Sequence, residues 1–332
     1  MKLLSRLFGR RASVGPTADV DPLTPASAPT PTLLRFGAVG DRFVRIPSLD
    51  FFGQYSRSPN GKWLIAWRDS NDAGTHGGHR ESGPGRFYLF HGEKLAAQGR
   101  AERPQDAKVG NDGTFVLNDW RFGSGLNGTF LAYRNDGTLI LKRDFAANLL
   151  NNGIADDGGM AACQTANAPH SPDSSVLAVF DLRAGREIAA WVPESGWADT
   201  YSFAGSNATM RLHYRDGTSF AFTLDGQFVE RDAWIRSRTH SANIYVLANL
   251  LREADDPIPA ELAQSILTGA QAAMAEPDFD ERQRAMALKV CGLCHEALGN
   301  KSEALASFEE AVQLDPKIGL KRRATQLRRE LP

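Results

Sequence analysis

The chain has 332 residues, of which 42% are hydrophobic and 23% charged, and carries a formal net charge of -1. That length suits two or three cores rather than one, because a single core rarely grows past about 250 to 300 residues, and the near-zero charge excludes bulk attraction to nucleic acid. The three cysteines, Cys163, Cys291 and Cys294, are too few and too oddly placed for a disulfide framework, so a reducing, cytoplasmic setting is expected.

In residues 1–11, Leu3, Leu4, Leu7 and Phe8 oppose Lys2, Arg6, Arg10 and Arg11 at helical spacing. Such a segment is read first as a solvated frayed end, with peripheral contact with an anionic membrane as the alternative. A secretory signal needs an unbroken apolar core of roughly 7 to 15 residues, and Ser5 and Arg6 interrupt the run after two leucines. No later stretch approaches the roughly 18 apolar residues of a membrane span. From residue 12 to 32, Pro16, Pro22, Pro25, Pro29 and Pro31 stand among Ala, Thr and Ser. This composition cannot bury enough apolar surface to offset its ordering entropy, so residues 1–35 are expected to be a basic segment and a disordered linker.

Residues 36–235 change to short apolar segments separated by Asn-Gly and Asp-Gly turns, the strongest local signal for hairpins. The turn markers Gly61, Gly113, Gly158 and Asn207 recur at steps of 52, 45 and 49 residues. Second turns at Gly92, Gly137, Gly185 and Gly226 fall between them. A period near 50 with several strands per repeat resembles a β-propeller of about four blades, or five if residues 36–52 supply strands to another. No regular Gly-His to Trp-Asp pairing accompanies it. A twisted sandwich or an unclosed array of blades is the alternative.

From about residue 241 the apolar period becomes 3.6, with Ile244, Leu247, Ala248 and Leu251 in one stripe. Helices are expected over residues 241–254, 260–275, 279–298, 301–314 and 317–329, which makes 241–332 a helical domain. Within it, Leu288, Gly292, Ala304, Phe308, Ala311 and Pro316 occupy signature positions of a 34-residue repeat starting at Ala285. Residues 285–318 thereby resemble the tetratricopeptide repeat family, with Cys291 and His295 in place of its usual leucine and tyrosine. The resemblance implies an antiparallel helix pair with a peptide-binding groove, and Lys289, Lys317, Lys321 and Arg322 are the candidate partner contacts. Ala263, Leu267 and Ala270 copy the second helix as a degenerate repeat, so the short array is expected to lean on the β-region or on another copy of the chain.

Cys291, Cys294 and His295 form a Cys-x-x-Cys-His string inside the same repeat. That spacing suits covalent haem attachment, a metal site, or plain packing in a helix seam. Packing is the favoured reading, because haem attachment requires export and zinc requires a further ligand pair. The Gly-rich segment 69–86 holds His76, His79 and Asp72, which would share a metal if the loop brought them together; a solvated loop between strands is the favoured reading. Ala73 and Arg80 stand where a calcium loop needs oxygen ligands. Trp120, Trp191, Trp197 and Trp234 either pack between blades or anchor a partner. No phosphate loop or nucleophile elbow is present. The sequence therefore predicts a cofactor-free, non-catalytic protein–protein interaction adaptor, with a metal-dependent hydrolase and a haem protein as alternatives.

Overall fold

The computed structural model describes residues 37–331 except 40, 72, 205–207, 242 and 278. The N-terminal segment, Asp72 and the Asn207 marker therefore lie outside the described residues. The chain divides into two compact units, the first ending at Gln227 and the second starting at Phe228.

The first unit is built from four antiparallel sheets. Strands β1 (Gly37–Val39), β2 (Phe43–Ile46), β3 (Phe51–Arg57), β4 (Trp63–Arg68), β5 (Gly85–His91) and β6 (Lys94–Ala101) form the first, in chain order. The second holds β7 (Pro104–Val109), β8 (Phe115–Asp119), β9 (Gly128–Tyr133) and β10 (Leu139–Phe145). The third holds β11 (Leu149–Ile154), β12 (Met160–Thr165), β13 (Leu177–Asp181) and β14 (Arg186–Trp191). The last has three strands, β15 (Thr200–Ala204), β16 (Thr209–His213) and β17 (Ser219–Thr223).

Sheets stack face to face, so the middle strands are apolar on both sides. On β8, Phe115 and Leu117 pack with Ile65, Trp67, Phe87 and Leu89 of the first sheet. Val116 points the other way, with Phe130 and Ala132, into Ala161, Cys163, Ala178 and Phe180 of the third. Strands buried on both faces read as continuous apolar runs rather than alternation, which is why Trp63–Arg68 and Gly128–Tyr133 look so hydrophobic. The first strands of successive repeats adjoin in series, β3 to β7, β7 to β11 and β11 to β15. Among the described residues no comparable junction joins β15 back to β3.

The two end sheets are finished differently from the middle ones. In the last, Met210, Leu212, Phe220 and Phe222 are buried, whereas Thr200, Ser202 and Ala204 face solvent. In the first, Val44, Ile46, Phe51, Leu64, Ala66, Tyr88 and Phe90 make a separate core. Phe51 of β3 meets Tyr88 of β5 edge-on, 5.1 Å between ring centroids, and Val44 and Ile46 of β2 join the same core. These facings match the unclosed array of blades, and residues 36–52 extend the first sheet rather than founding a fifth.

Turns between the first and second strands of the repeats are chained along one rim. Asn60 N–H donates to Asn111 Oδ1 at 2.8 Å, and Asn111 N–H to the Asp156 carbonyl at 2.7 Å. Gly113 has φ +86°, and a Cβ there would stand 2.7 Å from the Trp63 ring of the neighbouring sheet. Gly113→Val is therefore expected to cost about 3 kcal/mol or more, from backbone strain plus overpacking. Urea unfolding followed by far-UV circular dichroism measures it, and a loss under 1 kcal/mol would contradict the tight junction.

The second unit contains α1 (Arg231–Thr239), α2 (Ile244–Glu253), α3 (Ala260–Met274), α4 (Glu281–Ala297), α5 (Lys301–Leu314) and α6 (Lys321–Glu330). Their ends follow local chemistry. Asn243 caps α2 by accepting from the Tyr245 N–H, and Asp280 with Gln283 makes a reciprocal capping box on α4. One helix departs from the sequence reading, since α1 starts at Arg231, inside the region 36–235 expected to be β. Strand β17 ends at Thr223, and the charged Arg231-Asp232 start of α1 carries only a weak apolar stripe, so periodicity gave no warning. Likewise α6 starts at Lys321 rather than 317, because Pro316 and Gly319 hold the preceding turn.

Candidate interaction surfaces

The segment after β4 is built around Arg80, whose side chain is only 8% exposed. Its Nη1 donates to Asp69 Oδ1 at 2.8 Å and to the Gly78 carbonyl at 3.0 Å. Nε donates to the Gly83 carbonyl at 2.9 Å, and Nη2 to the carbonyls of Glu102, at 2.8 Å, and Asp69. Asp69 Oδ2 accepts from the Gly78 N–H at 2.7 Å, and Arg103 Nε lies 3.6 Å from Oδ1. The guanidinium also sits 5.6 Å from the Phe122 ring centroid, and the Gly123 N–H donates to the Arg80 carbonyl at 3.2 Å. Arg80 thus ties this loop to the segment after β6, while residues 73–77, 79, 81 and 82 are exposed.

The two histidines of the rim have separate neighbours. His76 Nδ1 lies 2.9 Å from Thr75 Oγ1, and His79, 59% exposed, has Nε2 3.9 Å from Glu81. Asp69 is committed to the Arg80 staple. Among the described residues no three His, Cys, Asp or Glu side chains converge as a metal ion would need.

Side-chain acceptors at the ends of second strands clamp the crossings between sheets. Buried Asp119 accepts the backbone N–H groups of Glu102, Arg103 and Arg121 at 3.0, 2.6 and 3.1 Å. Burial pushes its carboxyl up, against the pull of those three N–H groups. In the third sheet, Gln164 Oε1 accepts from the Ala198 N–H at 3.0 Å and from the Tyr201 hydroxyl at 3.2 Å. Burial also raises the Tyr201 phenol well above its usual range, so this hydroxyl is a structural donor. Arg68-Asp69, Asn118-Asp119 and Gln164-Thr165 each follow an apolar run by position. That recurrence is the sequence signal through which the clamps were findable, and it was missed.

Among the aromatics, Trp120 donates Nε1–H to the Leu149 carbonyl at 2.7 Å. Trp191 lies where a Cβ on Gly226 would come within 2.8 Å of its ring. Trp197 is 47% exposed and is the anchor-like one of the four. Trp234 belongs to α1, where the Arg238 guanidinium sits 4.5 Å from its ring centroid.

In the helical unit, Leu288, Ala304, Phe308 and Ala311 are buried together with Leu320, which precedes α6, and with Ala324 and Leu327 of α6. At Gly292 α4 and α5 approach closely, a Cβ there falling 2.3 Å from Phe308 Cε1. Cys291 and Cys294 join the other side of α4 to α2 and α3. Burial pushes their thiols up to about 11 and about 12, and Cys163 is raised well above the ordinary value by the same cause. At pH 8 all three are protonated, and the thiolate is the reactive form. Native protein is expected to give no fast reaction with a thiol-specific chromogen, and three equivalents after denaturation; a fast native equivalent would contradict this. His295 carries a buried Nδ1 with no hydrogen-bond partner.

The partner-contact candidates divide. Lys289 spends its ammonium on the Ile318 carbonyl at 3.3 Å. Neighbouring charges on α6 are paired, Arg323 with Glu296, Arg328 with Glu309, and Glu330 with Lys301. Lys317, Lys321 and Arg322 are exposed. Pro316 follows the end of α5, as its missing N–H requires.

No family model matches the chain, and no curated protein matches it. Among solved structures, it is similar to the crystal structure of BamB from Moraxella catarrhalis, with 16% identity and a TM-score of 0.36, over 53% of this chain and 47% of that one. It is also similar to the C-terminal WD40 domain of Sif2, with 13% identity and a TM-score of 0.34, over 53% of this chain and 44% of that one. The match thus spans less than half of each of those structures. The chain's own geometry is a β-propeller-like array of four antiparallel sheets followed by six helices among the described residues.

Proposed function

We propose that the protein is a non-catalytic adaptor of the cytoplasm that holds other proteins on its β-propeller-like unit and on a tetratricopeptide-type helix pair formed by α4 and α5. One observation carries this reading. Groups with catalytic potential, Asp69, Arg80, Asp119, Tyr201 and the cysteines, are spent on buried structure, while Phe52, Leu126 and Trp197 are about half exposed. The Gly292–Phe308 seam supports the tetratricopeptide reading of the pair, and Lys317, Lys321 and Arg322 offer charge to an acidic segment. Crosslinking of the full chain in its native lysate, followed by mass spectrometry, tests the role. A defined set of partner proteins is expected. Recovery of none, together with stoichiometric metal in untagged protein that is lost on His76→Ala, would replace the adaptor with a metal-dependent hydrolase.

A further inference from the structure

We propose that the outward face of β1–β3 docks an extended peptide in which a large apolar side chain is flanked by carboxylates. This rests on the adaptor reading and names a partner class for it. The argument starts from alternation. Inward positions of these strands, Val44, Ile46 and Phe51, are at most 2% exposed. Successive residues point to opposite faces, so the outward set is Val39, Phe43, Arg45 and Phe52. Val39 and Phe43 are register partners, as are Arg45 and Phe52.

Solvent-facing positions on β15 are polar or small, Thr200, Ser202 and Ala204, and the exposed leucines of β10 and β11, Leu139 and Leu150, stand on different sheets. On β1–β3 three such positions are apolar, with Val39 50%, Phe43 40% and Phe52 52% exposed. The two phenylalanine rings stack, 5.4 Å between centroids and 7° from parallel. A lone exposed phenylalanine is ordinary, but a stacked pair continued by a valine is a patch, and exposed patches of this kind mark binding surfaces.

Two further features choose the occupant. Arg45 stands across the strand pair from Phe52, and Arg42 lies in the turn before β2; both are exposed, and among the described residues neither has an acidic partner. Carboxylates beside the apolar anchor complement them. In addition, β1 is the edge of its sheet, and no described strand pairs with its outer side. An added strand would place every second side chain on the outward face beside Val39, the register partner of Phe43, from where a large apolar side chain can lean toward the rings. Because β1 has only three residues, ring contact and charge must carry most of the affinity.

A phage-displayed library of random peptides, about twelve residues long, panned on the full chain tests this. Enriched peptides are expected to place Phe, Trp or Leu beside Asp or Glu. Fluorescein-labelled copies should bind about tenfold or more weakly to Phe52→Ser and to Arg45→Glu, both exposed sites whose variants retain the circular dichroism spectrum. Enrichment of basic peptides, or affinity unchanged by Phe52→Ser, overturns the proposal. A concentration-dependent dimer that Phe52→Ser dissociates would give the face to a second copy and overturn it as well. Lysate partners that survive Phe52→Ser would sink this proposal alone and leave the adaptor standing; loss of all lysate partners in the unmodified chain would sink the adaptor reading too.

Discussion

Arg80→Met is expected to destabilise the β-unit by about 3 to 5 kcal/mol, the range for removing one partner of a buried ion pair. The substitution leaves Asp69 with a half-compensated carboxylate, since Arg103 stands at 3.6 Å and only the Gly78 N–H remains close. It also strips a donor from the carbonyls of Asp69, Gly78, Gly83 and Glu102. Methionine keeps most of the packing volume, so the loss reports the polar network. Arg80→Lys restores the charge but not the planar fork that serves several carbonyls at once, and should recover only part. His76→Ala, on the same rim but exposed, is expected to cost less than 0.5 kcal/mol. Urea titration with two probes separates the units, because only the β-unit transition should move. If Arg80→Met stays within 1 kcal/mol of the parent, the rim is not held from this residue.

The rim also shows what the sequence could and could not reveal. Turn dipeptides and period-2 runs place hairpins because they act through neighbouring residues, and the markers Gly61, Gly113 and Gly158 do sit in the turns that join first and second strands. Arg80 instead bonds to Glu102, and Phe122 lies under its guanidinium. These partners are brought together by sheet stacking, which no local pattern encodes. The helices were legible for the same reason that the hairpins were. Stripe, cap and stop signals are local, and α5 runs from Lys301 to Leu314, the span its periodicity predicts. Helix α1 escaped because a short, charged segment gives almost no stripe.

Closure of the blade array turns on facing rather than period. A ring needs the last sheet to present an apolar face to the first, and β15 presents Thr200, Ser202 and Ala204. The first sheet meanwhile keeps its apolar side for Val44 and Ile46 of its own added strand. Each end is thus satisfied without the other. Repeat spacing alone is silent on this, but parity along β15 and β2 records it.

Gly292→Leu is expected to cost about 3 kcal/mol, the upper end for overpacking, because the neighbour cannot yield. Phe308 is fully buried, and even a single Cβ at position 292 would stand 2.3 Å from its Cε1 and 2.5 Å from Cδ1. Gly292→Ala sharpens the test, since helix propensity alone would make it stabilising by about 1 kcal/mol. A net loss therefore isolates the clash. Phe308→Leu should open a cavity when made alone, yet it should be milder in the Gly292→Ala background, where the added methyl fills part of that space. A double-mutant cycle is expected to return a favourable coupling of about 1 kcal/mol or more. Cys294→Ser supplies the contrast. Its buried hydroxyl can donate to the carbonyl one turn back in α4, and the cost should remain near 1 kcal/mol. A Cys294→Ser loss larger than that of Gly292→Leu would move the weight of α4 from the Phe308 seam to the Cys-x-x-Cys-His string. The reverse order makes the string a by-product of tight helix packing, with Cys291 and Cys294 buried against α2 and α3 and Gly292 against α5.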